Sequence, residues 1–94
     1  MIEIDELTKW VLSVDRRVIV MKELHRNELI KASEIAEKTG RSLQNISRAI
    51  RELKECGMIE CLTPYKHTWK RFILTKKGVK VFETLRKSHM IEGS

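Results

Sequence analysis

Several absences narrow the class of this 94-residue sequence before any motif is considered. Its two cysteines, Cys56 and Cys61, are too few for a disulfide-built scaffold and suit a reducing compartment. No apolar run approaches the ~18 residues that a membrane-crossing helix needs, so no membrane partner is expected. The N-terminus reads Met1-Ile2-Glu3-Ile4-Asp5-Glu6, with acids where a secretory signal carries bases ahead of an unbroken apolar stretch. A cytoplasmic location is therefore expected. There is no internal repeat, low-complexity tract or glycine- and serine-rich linker, and the length suits one domain over residues 1–94. No nucleophile, base and carboxylate set appears, nor a phosphate-binding glycine loop, nor a carboxylate pair at recognisable spacing. The sequence thus predicts neither an enzyme nor a bound cofactor. Hydrophobic residues at 41% and charged ones at 34% exclude both a bilayer protein and a typical disordered tail. A chain of this size buries about 65% of its unfolded surface, an adequate but modest core.

A further absence is local. Residues 63–80 contain no acid, while they carry Lys66, Lys70, Arg71, Lys76, Lys77 and Lys80. Elsewhere charge balances: residues 1–62 hold eleven bases and eleven acids, and residues 81–94 hold two of each. The whole excess of +6 therefore lies in one segment. Such a basic face is the footprint of a polyanion partner, because each neutralised phosphate releases condensed counterions. The competing explanation is a lysine-rich surface that only keeps the protein soluble.

Apolar spacing supplies the elements. Ile4, Leu7 and Val11, with Trp10 beside them, predict a short amphipathic helix over 5–12, which Ser13 breaks while capping the next. A second helix over 15–25 has Val18, Ile19, Met21 and Leu24 inward and Arg16, Arg17, Lys22 and Glu23 outward. Leu29 and Ile30 form a brief extended stretch. Residues 32–39 make a third helix, closed by Gly40 in a left-handed position. Ser42 then caps a fourth, in which Leu43, Ile46, Ala49, Ile50 and Leu53 keep helical spacing up to Cys56-Gly57. Two β-compatible runs, 58–62 and 70–74, flank a hairpin loop over 63–69. Thr75 caps a last helix over 76–88. The expected fold is mainly α with a small β-hairpin, in the order αααα-ββ-α.

Two short helices joined by Gly40-Arg41-Ser42 and followed at once by a lysine-loaded hairpin resemble the winged helix-turn-helix family of DNA-binding domains. The resemblance covers residues 15–87. Ala32-Ser33-Glu34-Ile35-Ala36 is similar to the first helix of that motif, and Ser42-Leu43-Gln44-Asn45-Ile46-Ser47-Arg48 to its recognition helix. Leu53-Lys54-Glu55-Cys56-Gly57-Met58-Ile59-Glu60 is similar to the turn into the wing, and Leu74-Thr75-Lys76-Lys77-Gly78 to the exit from it. By pattern the nearest groups are the small ArsR-like and MarR-like regulators of bacteria and archaea. The resemblance implies a double-stranded DNA partner, a core over 15–75, an N-terminal helix over 1–14 and a C-terminal helix over 76–90.

On a helical wheel the outer face of residues 43–57 is polar, with Gln44, Arg48, Arg51, Glu52 and Glu55 outward and Asn45 and Ser47 on the flanks. Gln44, Asn45, Arg48 and Arg51 are the candidates for reading bases, since such side chains make paired contacts to adenine or guanine edges. Ser42 and Ser47, at the helix start, are candidates for phosphate contact. In the wing, Lys66, His67, Lys70 and Arg71 are candidates for the backbone or minor groove, with Lys76 and Lys77 extending the patch. Trp69 is expected to pack the wing base, while Tyr65 suits either packing or nucleic acid. Cys56 and Cys61 with His25, His67 and His89 do not make a convincing metal site. The fourth helix lacks the paired cysteines of metal-sensing ArsR-like members, and Cys-x4-Cys across a helix-to-strand turn is an unusual ligand pair. No metal is expected.

The first and last helices carry more apolar surface than one small core needs, which predicts a homodimer through Leu7, Trp10, Val11, Phe82 and Leu85. No effector is legible. The alternative function is a winged-helix protein–protein interaction module within a larger transcription or nucleic-acid-processing assembly.

Overall fold

The computed structural model describes residues 4–26, 30–63 and 70–87. Five helices and three short strands succeed one another: α1 (Ile4–Leu12), α2 (Asp15–Arg26), β1 (Ile30–Lys31), α3 (Ala32–Thr39), α4 (Leu43–Glu55), β2 (Ile59–Cys61), β3 (Arg71–Leu74) and α5 (Lys76–Lys87). Each boundary has a local cause. Asp5 and Glu6 in the first turn of α1 and Lys9 in its last complement the helix dipole. The start of α3 is held by the Lys31 N–H, which donates to Glu34 Oε1 at 3.0 Å. Gly40 ends it at φ +69°, a left-handed conformation that an L side chain resists, with its N–H returned to the Ala36 carbonyl. Ser42 accepts the Asn45 N–H at 3.1 Å and caps α4. The Thr75 hydroxyl accepts the Gly78 N–H at 3.1 Å, which caps α5.

Ser13 breaks α1 as expected, but its hydroxyl serves that helix and Arg17 rather than the start of α2. Its hydroxyl donates to the Trp10 carbonyl at 2.6 Å and accepts from Arg17, so it closes α1.

The sheet is three-stranded, in the order β1-β3-β2, and both pairings are antiparallel. The expected hairpin is present as β2 and β3, and the extended stretch expected at Leu29 and Ile30 joins it, at Ile30–Lys31, as a third strand. β1 is only two residues long, too short for any alternation of its own, and it exists because β3 offers it a free edge with Ile30 opposite Phe72.

Side chains from all five helices and from the sheet meet in one core. Leu7 and Val11 of α1, Leu24 of α2, Ile46 and Leu53 of α4, and Phe82 of α5 are among its fully buried members. The His25 ring stacks on Phe82, centroids 4.3 Å apart. This arrangement corrects the expected dimer face. Leu7, Val11, Phe82 and Leu85 are at most 1% exposed within a single chain, because the terminal helices pack on each other and spend these four side chains in the core. Trp10 is half-buried, with the Arg17 guanidinium 3.7 Å above its ring. Among the described residues no helix is long and apolar enough to cross a membrane.

Candidate nucleic-acid interface

The helix-turn-helix is built from α3, the turn at Gly40-Arg41-Ser42, and α4. Ile46, Ala49, Ile50 and Leu53 sink one side of α4 into the core. The opposite side stands in solvent, where Leu43, Gln44, Ser47, Arg48 and Arg51 line one shallow concave surface. Four of these five were expected on the outer face or its flank. Leu43 was expected inward, yet it is 52% exposed. At about 100° per residue it lies only ~20° from Ile50 around the helix, so the wheel alone sends it to the core. The first turn of α4 leaves it half in solvent all the same.

Asn45 stands apart from this surface. It is half-buried, and its Oδ1 is turned out of solvent without a hydrogen-bond partner among the described residues. The paired adenine contact expected of it therefore needs a change of side-chain orientation. Glu52 is also displaced from its expected outward position. Its carboxylate is gripped by Arg16, with Nη2 at 3.2 and 3.1 Å from the two oxygens. Arg17 completes the grip, Nε at 3.2 Å and Nη2 at 3.3 Å. The Arg17 hydrogen bond foremost, then that of Arg16, holds the Glu52 carboxyl below its ordinary value against the opposing effect of burial. Arg17 is itself buried and bonds the Trp10 carbonyl at 2.8 Å through Nη1. The expectation that Arg16 and Arg17 point outward is corrected accordingly. Their guanidinium heads converge on Glu52 of α4. Glu23, also expected outward, is buried, with Lys38 and Arg26 at 3.7 and 3.8 Å.

The C-terminal end of α4 is backed by a hydrogen-bonded corner. The Thr75 N–H donates to the Met58 carbonyl at 3.0 Å and its hydroxyl to the Gly57 carbonyl at 2.7 Å. Lys77 sits beside Gly57, and its charge acts on the Cys56 thiol, so it lies at the end of α4 remote from Ser42. Burial pushes the Cys56 thiol above its ordinary range despite that lysine. Lys76 and Lys80 are exposed on α5 and Lys70 ahead of β3. Arg71, half-buried on β3, pairs in register with Lys31 of β1, which places a further base at the wing edge. Nothing in the sequence pattern marked Lys31, because its neighbour lies 40 residues away. Lys66, His67, Tyr65 and Trp69 lie outside the described residues. Among the described residues no three His, Cys, Asp or Glu side chains cluster as a metal would require.

Comparison with known proteins agrees with this geometry. A family model described as winged helix-turn-helix DNA-binding matches residues 15–60. Among curated protein sequences none matches the chain significantly. Of solved structures, a MarR family transcription regulator superposes with a TM-score of 0.76 at 23% identity, over 90% of this chain and 58% of its own. MarR gives 0.73 at 26% identity, over 84% and 55%. Streptococcus pneumoniae FabT, solved in complex with DNA, gives 0.69 at 16% identity, over 81% and 54%. The chain thus spans a little over half the length of these regulators. The matching family model is described as DNA-binding, and the fold is one shared with MarR family transcription regulators. Residues 15–60 thus match the winged helix-turn-helix DNA-binding family model, within a fold shared with the MarR regulators.

Proposed function

We propose that the chain is a sequence-specific, double-stranded DNA-binding transcription regulator acting in the cytoplasm. The observation that carries this reading is the outer face of α4, from its N-terminal cap to Arg51. Ser42 caps its first turn by accepting the Asn45 N–H, its outer surface gathers Gln44, Ser47, Arg48 and Arg51, and the nearby carboxylate of Glu52 is drawn away by two arginines. A helix enters a major groove by its N-terminal end, where long polar side chains reach base edges. Gln44, Arg48 and Arg51 are assigned to bases. Ser42 and Ser47 are assigned to phosphate, joined at the wing by Lys70 and Arg71 together with Lys66 and His67. Lys76 and Lys77 belong with the backbone contacts only if the DNA reaches the far end of α4.

We further propose one domain over residues 1–94 that acts as a homodimer, which would set two recognition helices about one DNA turn, ~34 Å, apart. Support for pairing comes from the family resemblance, since Leu7, Val11, Phe82 and Leu85 are spent inside each chain. Light scattering is expected to return twice the chain mass of 11.1 kDa.

The functional reading is tested by titrating a labelled random duplex between about 50 and 200 mM salt. Each phosphate contact contributes about 0.9 to the slope of log K against log salt. A slope of about −4 or steeper is expected. Undetectable affinity at low salt would favour the interaction module instead.

A further inference from the structure

We infer that Leu43 reads the 5-methyl group of a thymine, and so sets base preference alongside the polar side chains of α4. This rests on the proposed reading of α4 as a DNA-recognition helix. Leu43 is one of two large hydrophobic residues that stand exposed among the described residues. It occupies the first position of α4, directly after the Ser42 cap, at the end by which such a helix enters the groove. Its surroundings define what can cover it. Gln44, Ser47, Arg48 and Arg51 share its concave surface, so the occupant must offer negative charge and hydrogen-bonding edges together with one small apolar spot. The major groove of DNA offers that combination. Phosphates supply the charge, base edges the donors and acceptors, and the thymine methyl is the apolar group among them. An exposed leucine in a polar rim gains by covering that methyl and gains nothing from cytosine at the same place.

The full chain is first used to select sites from a random duplex pool. Each thymine of the selected site is then replaced in turn by deoxyuridine, which pairs alike and lacks only the methyl. Replacement at one thymine is expected to weaken binding about fourfold, the equivalent of about one buried methylene. Leu43→Ala, whose side chain stops short of the base, should show no loss at that thymine, while Leu43→Met should keep it. Because Leu43 is half in solvent, both variants are expected to melt with the unaltered protein, which a thermal scan checks. A site where no thymine matters, or where the same thymine matters equally to Leu43→Ala, overturns the assignment. A pool that yields no enriched sequence overturns sequence reading altogether and this inference with it, whereas failure at Leu43 alone leaves the regulator reading standing.

Discussion

The two ends of α4 are held in opposite ways. At its N-terminal end the helix touches the rest of the protein through one side only, and Leu43, Gln44 and Arg48 are left to solvent. Toward its C-terminal end Glu52 is bound by Arg16 and Arg17, and the turn beyond is tied to Thr75 by hydrogen bonds from two directions. The difference is instructive because both ends lie on the same amphipathic helix. A recognition element needs one end free to meet a partner and the other fixed, since a contact surface on a loose support loses affinity to the cost of ordering it. Arg17 extends the fixed end further. Through its bond to the Trp10 carbonyl and its place over the Trp10 ring it ties the α1–α2 corner to α4.

The contrast is broken most severely behind the fixed end. A Cβ on Gly78 would press into the Met58 carbonyl oxygen, which is backbone and cannot swing aside. Gly78→Ala is therefore expected to cost about 3 kcal/mol, with α5 forced off the turn after α4, as urea unfolding would register. If the variant unfolds at the same urea concentration as the parent, the corner is not rigid.

Next in size is Glu52→Gln, which leaves Arg17 buried without its counter-charge. A loss of about 2 kcal/mol is expected at pH 7, moderated because the Glu52 side chain keeps 24% of its exposure. The effect has a predictable pH dependence. Because the folded-state pKa is lowered, the contribution of Glu52 is complete above the unfolded value of about 4.3 and disappears as pH falls through the folded value. Melting curves of the two proteins should accordingly converge as the pH falls through the lowered folded-state value. A gap that persists in acid would mean that the carboxylate charge is not what Arg16 and Arg17 hold.

For the exposed side chains of the free end the expectation reverses, with binding affected and stability spared. Gln44→Ala or Arg48→Ala should cost about 1–3 kcal/mol on the cognate duplex and relax preference at the contacted position, while Lys70→Ala weakens all sequences alike. Equal losses on cognate and random DNA for both groups would remove the division of labour. The smallest change is Ser42→Ala, which removes the cap and is expected to lower stability by about 1 kcal/mol. Calorimetry resolves that shift as several degrees in Tm for a chain of this length.

Much of α4 was legible in the sequence because its causes are local. Ser42 precedes a run of Ile46, Ala49, Ile50 and Leu53, and Gly40 stands where α3 must stop, so caps and period agree within a few residues. The errors share one cause. Glu52 and its arginines are 35 and 36 residues apart, and no spacing rule connects an acid on one helix to bases on another. Leu43 misled in the reverse sense. A wheel reports direction around the axis and not how far along it the neighbouring elements extend. The same blindness applied to the terminal helices, where Leu7 and Phe82 looked surplus until α1 and α5 were found to pack on each other.

The amino-acid order alone therefore determined the helices, their caps, the basic segment and the polar face of α4, because hydrogen bonding within a turn and apolar period act over a few residues. Tertiary structure decided which polar groups are available. The third strand, the inward turn of Arg16, Arg17 and Glu52, and the exposure of Leu43 all depend on what lies opposite in space, and burial is a property of that neighbourhood rather than of residue type.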